Sequence, residues 1–140
     1  MPELIVFREV HFNAAHRLHN PARSDEWNRE TYGLCNSPNY HGHNYVLQVG
    51  VRGVPDPETG FVVDLGALKK LLEELVLNEL DHKNLNLDVP FLRDINPSTE
   101  NLCFAIWDRV AAKLPAGKLH VVRLIETPRN WTEYYGPGGL

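Results

Sequence analysis

Two stretches in which apolar residues fall on every second position constrain this chain more than anything else in it. Leu4, Val6, Val10 and Phe12 form the first, with Arg8 among them, and Tyr45, Leu47, Val49 and Val51 form the second. A period of two sends successive side chains to opposite faces, so each stretch reads as a strand with one buried face. The two are expected to pair. Between them, from His16 to Asn44, no clear period is visible, and an irregular connection of that size in a small domain is usually functional or disordered. Its cysteine and histidine content favours function.

After a turn at Gly53-Val54-Pro55-Asp56-Pro57 and Gly60, Asp64 can cap a helix carrying Leu65, Leu68, Leu71, Leu72, Leu75 and Val76 at three-and-four spacing. A second helix opens near Pro97-Ser98-Thr99-Glu100, where a hydroxyl can cap and a carboxylate favours the positive end of the dipole. It runs through Leu102, Ile106 and Val110 until Pro115 and Gly117 stop it. Leu119 to Glu126 and Trp131 to Tyr135 read as two further strands. Two strands, two helices and two strands predict an α+β fold, a four-stranded antiparallel sheet with both helices on one face. At 140 residues the chain is read as one domain, 1–140. The open edges of such a sheet must be covered or paired, which makes oligomerisation plausible.

Apolar residues make up 43% of the chain and charged residues 23%, as in ordinary soluble proteins. The start, MPELIVFREVHF, is neither a signal peptide nor a membrane span, so the expected compartment is the cytoplasm. A net charge of −4 without a cluster of basic residues argues against a nucleic-acid partner. Of the two cysteines, Cys103 lies among Leu102, Phe104 and Ile106 and reads as core, whereas Cys35 lies in a polar stretch. A disulfide between them is disfavoured in a reducing compartment.

His41-Gly42-His43 puts two imidazoles on one face at the entry to the second strand, about 6.5 Å apart at Cα, with the glycine between them leaving room above. His16 follows the first strand, and pairing would bring it opposite. Three neutral nitrogens with an open position suit catalytic zinc, although a His-x-His pair alone is a weak signal. His11, His19 and His120 are read as structural or surface residues, with His11 and His19 open to a supporting role behind the ligands. Cys35 can serve as a fourth ligand or as a proton-transfer group, and spacing does not separate the two. A thiol, with a reference pKa of about 8.5, needs a nearby cation or imidazole to work as a base near neutrality. His82, beside Asp81, is one candidate, set against the plainer reading that Asp81-His82 only closes the first helix. Glu126 ends an apolar strand on the face of Val122 and Leu124, as a solvent residue or as a two-point anchor for the N–H donors of a flat heterocycle.

Four separated motifs together resemble the 6-pyruvoyl-tetrahydropterin synthase family: Cys35-Asn36-Ser37-Pro38-Asn39-Tyr40-His41-Gly42-His43-Asn44-Tyr45, Leu80-Asp81-His82-Lys83-Asn84-Leu85, Ser98-Thr99-Glu100-Asn101 and Ile125-Glu126-Thr127. Asp56-Pro57-x-Thr59-Gly60 and Asp64-Leu65 add to the match, which covers nearly the whole chain. The resemblance implies a T-fold subunit, trimers whose sheets close into a β-barrel, and a hexamer of two trimers with active sites between subunits. It implies that His16, His41 and His43 hold Zn2+, that Cys35 is the proton-abstracting base, and that Asp81 and His82 tune it from a neighbouring subunit. Glu126 would grip the pterin, with Thr99 and Glu100 nearby. The implied reaction converts 7,8-dihydroneopterin triphosphate to 6-pyruvoyl-tetrahydropterin with loss of triphosphate, a step of tetrahydrobiopterin biosynthesis. One departure is Tyr40, where a small residue such as glycine is expected. A sister enzyme, 6-carboxy-tetrahydropterin synthase of queuosine biosynthesis, shares substrate and triad but usually has a shorter Cys-to-His spacing. The rivals outside this reaction are a non-catalytic pterin-binding T-fold protein and a zinc hydrolase.

Overall fold

The two alternating stretches do pair, and the pairing runs beyond the alternation that announces it. In the computed structural model, which describes residues 1–140, strand β1 (Leu4–His16) lies antiparallel to strand β2 (His41–Gly53). The register runs from Leu4 opposite Gly53 to His16 opposite His41. The connection between them is ordered: helix α1 (Asp25–Tyr32) is capped by Ser24, whose hydroxyl accepts from Trp27 N at 3.0 Å, and a 3-10 turn follows at Gly33–Asn36.

Helix α2 (Leu65–Leu72) begins where Asp64 Oδ1 accepts from Gly66 N and Ala67 N at 2.8 and 3.3 Å, as its sequence predicts. The helix then widens into a π-helical segment, Glu73–Leu77, before a last short turn α3 (Asn78–Leu80). Strand β3 (Lys83–Asn84) follows, and helix α4 (Thr99–Ala111) starts at Ser98, whose Oγ accepts from Asn101 N at 3.2 Å. Strands β4 (Lys118–Thr127) and β5 (Asn130–Tyr134) complete the sheet. Its order is β3-β1-β2-β4-β5. The expected four antiparallel strands are present, and the fifth, β3, is two residues long and runs parallel to β1 at Ala14 and Ala15.

Helix α2 lies against β1, and α4 against β4 and β5. Alternation decides which strand residues meet the helices. Val10, Phe12 and Ala14 of β1 are buried, as are Tyr45, Leu47, Val49 and Val51 of β2. They share one core with Leu68, Leu72 and Val76 from α2 and its extension and with Leu102, Ile106 and Val110 of α4. Cys103 belongs to this core, and burial pushes its thiol up to about 12, which leaves it protonated and inert near neutrality. No helix is long and apolar enough to cross a membrane.

A π-helical turn displaces backbone carbonyls from their usual partners. Here Arg109 of α4 donates from Nε to the Leu75 carbonyl at 2.9 Å, while its guanidinium lies 4.3 Å above the Phe91 ring. Its Glu79 contact, at 4.0 Å, is the weaker of its polar interactions. Arg109→Met, which keeps the apolar stem and removes the donor, is expected to cost about 1–2 kcal/mol in urea unfolding. Glu79→Gln should change stability by no more than about 0.5 kcal/mol. Equal effects from the two would contradict this assignment.

Candidate metal centre

The buried stripe of β1 and β2 ends in imidazoles. On the face that meets the helices, the last rung pairs His16 with His41 and the next sets His43 opposite Ala14. The small Ala14 side chain leaves space for the His43 ring. One rung deeper, Phe12 and Tyr45 stack with centroids 4.8 Å apart and close the floor. The three imidazoles meet edge to face, with centroids 4.6 Å apart for His16 and His41, 5.1 Å for His16 and His43, and 4.9 Å for His41 and His43. Gly42 points the other way. A Cβ there would meet only the Ala14 carbonyl, at 3.5 Å, so the glycine leaves its room on the opposite face rather than between the rings.

A fourth group joins them. One ligand-type atom from each of His16, His41, His43 and Glu126 lies within 4.8 Å of every other, so the four could hold one ion. Glu126 reaches this point because it shares the inward face of β4 with Val122 and Leu124, and a bulge against β5 leaves it unpaired. Ile125 pairs with Trp131 and Thr127 with Asn130, which leaves Glu126 as the extra residue between them. The carboxylate Oε1 stands 3.0 Å from His43 Nε2 and 3.5 Å from His16 Nε2, and Thr99 Oγ1 donates to Oε2 at 3.2 Å.

The protonation pattern suits a cation. His16 Nδ1 donates to the Pro97 carbonyl at 2.8 Å, which fixes the proton on that nitrogen and leaves Nε2 a lone pair. His16 Nε2, His41 Nδ1 and His43 Nε2 are all buried atoms without a hydrogen-bond partner. Three orphaned nitrogens on converging rings are what a divalent ion would satisfy. Burial, and after it the neighbouring His16 and His43, hold His41 below the ordinary imidazole value, although Glu126 opposes. Burial does the same to His43, with Glu126 opposing and His16 reinforcing. The facing His16 imidazole holds Glu126 below the ordinary carboxylate range against the opposing effect of burial, and His43 and Thr99 reinforce it. Burial, then the Glu126 charge, raises the Tyr45 phenol, whose oxygen lies 3.4 Å from His16 Nδ1.

The other residues singled out from the sequence lie around this group. Cys35 sits in the 3-10 turn, exposed, with its carbonyl accepting from Leu18 N at 2.8 Å. Its sulfur is not one of the four converging groups, so the structure does not place Cys35 as the fourth ligand. Thr99 and Glu100 line a cavity of about 380 Å³ together with Glu126. Asp81 and His82 do face each other, Oδ2 to Nδ1 at 3.0 Å. They lie on the far side of β1 from His16, where Asp81 Oδ1 accepts from Asn13 N at 2.9 Å and His82 N donates to the Asn13 carbonyl at 2.7 Å. Burial raises the Asp81 carboxyl, but the Asn13 and His82 hydrogen bonds outweigh it and leave it lowered. His82 borders a cavity of about 570 Å³ that also touches Gly42, His43 and Asn44. His11 is exposed and bound to Glu9, so it supports nothing at the centre. Tyr40 has φ 67°, a left-handed backbone that favours glycine, which gives the expected small residue a physical basis.

Most of the similar proteins carry one family name, and a dihydroneopterin monophosphate aldolase of Pyrococcus furiosus is also similar, at 34% identity over 89% of this chain and 88% of that protein. The sequence profile of 6-pyruvoyl tetrahydropterin synthase matches residues 5–137. The chain belongs to that family. The 6-pyruvoyl tetrahydrobiopterin synthase of Poecilia reticulata is 49% identical over 131 residues, 94% of this chain and 89% of that protein. The protein of the same name from Homo sapiens is 47% identical over 94% of this chain and 90% of its own length. The structure of Caenorhabditis elegans 6-pyruvoyl tetrahydropterin synthase superposes with a TM-score of 0.92 at 42% identity, covering 97% of both chains. The family match and the mixed sheet-and-helix architecture thus agree with the T-fold that the motifs imply.

Without a bound ion the lowered His41, His43 and Glu126 make the centre acid-sensitive. The unfolded chain takes up protons on these groups at higher pH than the folded chain does. Stability is therefore full above the ordinary imidazole value of about 6.5 and is lost as pH falls below it, with a further loss through the carboxylate range. After chelator treatment the urea midpoint should fall between pH 7.5 and pH 5 in wild type, and the fall should be smaller in a variant carrying His43→Gln. An equal pH response in the two would exclude this source.

Proposed function

We propose that this protein is a zinc-dependent lyase that converts 7,8-dihydroneopterin triphosphate to 6-pyruvoyl-tetrahydropterin with release of triphosphate. The observation that carries the proposal is the convergence of three orphaned imidazole nitrogens beside Glu126, in a chain whose family relatives bear that synthase name. His16, His41 and His43 would hold the metal. Zinc on three neutral imidazoles supplies Lewis-acid polarisation of the substrate's side-chain oxygens, which acidifies the adjacent C–H.

The chain's own residues do the rest. Glu126 binds the amino and ring N–H groups of the pterin with its two oxygens, and the Thr99 hydroxyl, at 3.2 Å, fixes the carboxylate plane. Glu100 lines the same recess. Cys35 Sγ removes the side-chain proton. Asp81 holds the His82 Nδ1 proton at 3.0 Å and so leaves Nε2 free to accept the proton of a thiol. Because that pair faces away from its own chain's centre, it would serve Cys35 of a neighbouring subunit. An oligomer built on the open sheet edges would provide this, and the exposed Phe7 and Trp131 on the uncovered sheet face support it. We take the whole chain, 1–140, as one such domain, working in the cytoplasm as a hexamer of two trimers.

Mass identification of the product after incubation with dihydroneopterin triphosphate tests the reaction. A pyruvoyl product is expected, a carboxy product would reassign the chain to the sister enzyme, and unreacted substrate would favour a pterin-binding protein without catalysis. Cys35→Ala should lower turnover by about 10²–10⁴-fold while keeping bound zinc. A hydrolase working through bound water would keep its activity in that variant. His43→Ala should lose zinc, and undiminished metal content there would exclude the ligand set.

A further inference from the structure

The chain between β1 and β2 has no apolar stripe to seat it, and asparagine side chains hold it instead. Asn28 braces helix α1 on the Asn20 backbone, donating to its carbonyl at 2.9 Å and accepting from its N–H at 2.7 Å. Asn86 does the same for Arg17, donating to the carbonyl at 3.0 Å and accepting from the N–H at 2.9 Å. Asn96 accepts from His19 N at 3.1 Å and donates to the Tyr32 hydroxyl at 3.1 Å. A fourth asparagine, Asn36, lies in the turn that carries Cys35.

That turn, Gly33–Asn36, has no apolar anchor. Leu34 is 92% exposed, Gly33 has open space where a side chain would stand, and Cys35 is exposed. Asn36 is the turn's one buried residue. Its Nδ2 donates to the Leu18 carbonyl at 2.7 Å and to His19 Nδ1 at 3.0 Å, while Leu18 N donates to the Cys35 carbonyl at 2.8 Å. Both polar groups of the Leu18 backbone are therefore bonded to the turn, two residues beyond the His16 that ends β1. The direction of the amide is determined as well. Arg17 Nη2, which can only donate, reaches His19 Nδ1 at 2.7 Å, so that nitrogen is an acceptor and the ring proton is on Nε2. An acceptor at His19 and a carbonyl at Leu18 require the NH2 group of Asn36 rather than its oxygen. Arg17 and His19 also wall a polar cavity of about 610 Å³ with Tyr40 and Asp94, and Asn36 is not part of that wall.

We propose that Asn36 is the positioning residue for Cys35: its amide ties the thiol-bearing turn to the end of β1 and so sets the sulfur against the ion that His16 would help to hold. The proposal rests on the function proposed above. A base that takes a proton from a metal-bound substrate works only at a fixed separation from it, and a displacement of about 1 Å costs on the order of a hundredfold in rate. An exposed turn cannot obtain that precision from packing. A buried amide with two acceptors in fixed places supplies it, because leaving any of these groups unpaired is unfavourable. The imidazoles do not depend on this tie, since the β1–β2 register and the Pro97 carbonyl hold His16.

The test uses the zinc-loaded full-length protein. Asn36→Ala should lower kcat by about 10- to 100-fold, with KM for dihydroneopterin triphosphate within about twofold and zinc content unchanged. Asn36→Asp keeps the shape but turns an oxygen toward two acceptors, and should lose at least as much, whereas a residue that only fills space would lose nothing. Alkylation by iodoacetamide reads the sulfur's place without catalysis, because Cys103 is buried and inert and Cys35 is the thiol that reacts. Saturating neopterin should slow alkylation of wild type by about tenfold and that of Asn36→Ala by no more than about twofold, at equal neopterin affinity by ring fluorescence. If neither Asn36 variant folds, His19→Ala, which removes one of the two acceptors, should lower kcat by about three- to tenfold and weaken the protection. Protection that is absent in wild type or intact in Asn36→Ala overturns the positioning, and so does loss of zinc in that variant. The proposed reaction then still stands if Cys35→Ala is inactive. Protection lost in Asn36→Ala together with an active Cys35→Ala overturns Cys35 as the base and leaves the positioning standing.

Discussion

The register of β1 against β2 is the constraint on which the site depends. Side chains on paired strands alternate, so the rung that places His16 opposite His41 also decides that Ala14 faces His43 and that Phe12 stacks on Tyr45. A slip of one residue would turn the core residues Val10, Phe12 and Ala14 outward together with His16. The apolar stripe therefore protects the imidazole cluster: the burial of Tyr45, Leu47, Val49 and Val51 excludes the registers that would turn the rings to the opposite face. Stability and site geometry are set by the same alternation.

The second element of the site continues that alternation along β4, where Val122, Leu124 and Glu126 share one face. In an unbroken ladder Glu126 would sit opposite Asn130, but the bulge between Ile125 and Thr127 leaves it unpaired, with its carboxylate against His43 and the Thr99 hydroxyl. A half-buried carboxylate and its imidazole neighbours compensate one another only in part, because burial holds His41 and His43 below the ordinary imidazole value while Glu126 is held below the ordinary carboxylate range. The pocket is left electronegative with lone pairs directed inward. That combination attracts a divalent cation, and it also suits a ligand that presents N–H donors to the carboxylate.

Periodicity made the strand interiors legible in the sequence, and its loss hid their functional ends. Beyond Phe12 the buried positions of β1 are Ala14 and His16, and before Tyr45 those of β2 are His43 and His41, so an apolar pattern stops where the site begins. Helix α1 was hidden for a related reason. Its sequence, DEWNRETY, buries only Asn28, whose amide donates to the backbone carbonyls of Asn20 and Ser24 and whose oxygen accepts from Asn20 N. Polar bracing of that kind leaves no apolar period. Strand β3 is too short for any period, while the caps at Asp64 and Ser98 were legible because capping depends on single side chains. The motif match identified the histidines and Glu126 but not the bulge that leaves Glu126 without a partner on β5, since a bulge is a property of two strands at once.

Backbone strain gathers around the same centre. The only residues other than glycine with positive φ are Tyr40, His82 and Asp94, at 67°, 62° and 63°. Tyr40 and Asp94 wall the cavity of Arg17, and His82 borders the cavity that touches His43. Each costs on the order of 1–3 kcal/mol relative to a relaxed conformation, and such strain persists only where surrounding contacts over-determine it. For His82 those contacts are the Asn13 carbonyl on its N–H and the Asp81 carboxylate on its ring. An asparagine or glycine would occupy any of the three positions with less strain. Aspartate and histidine enter the left-handed region more readily than most residues, so the strain is largest at Tyr40, next to the candidate ligand His41.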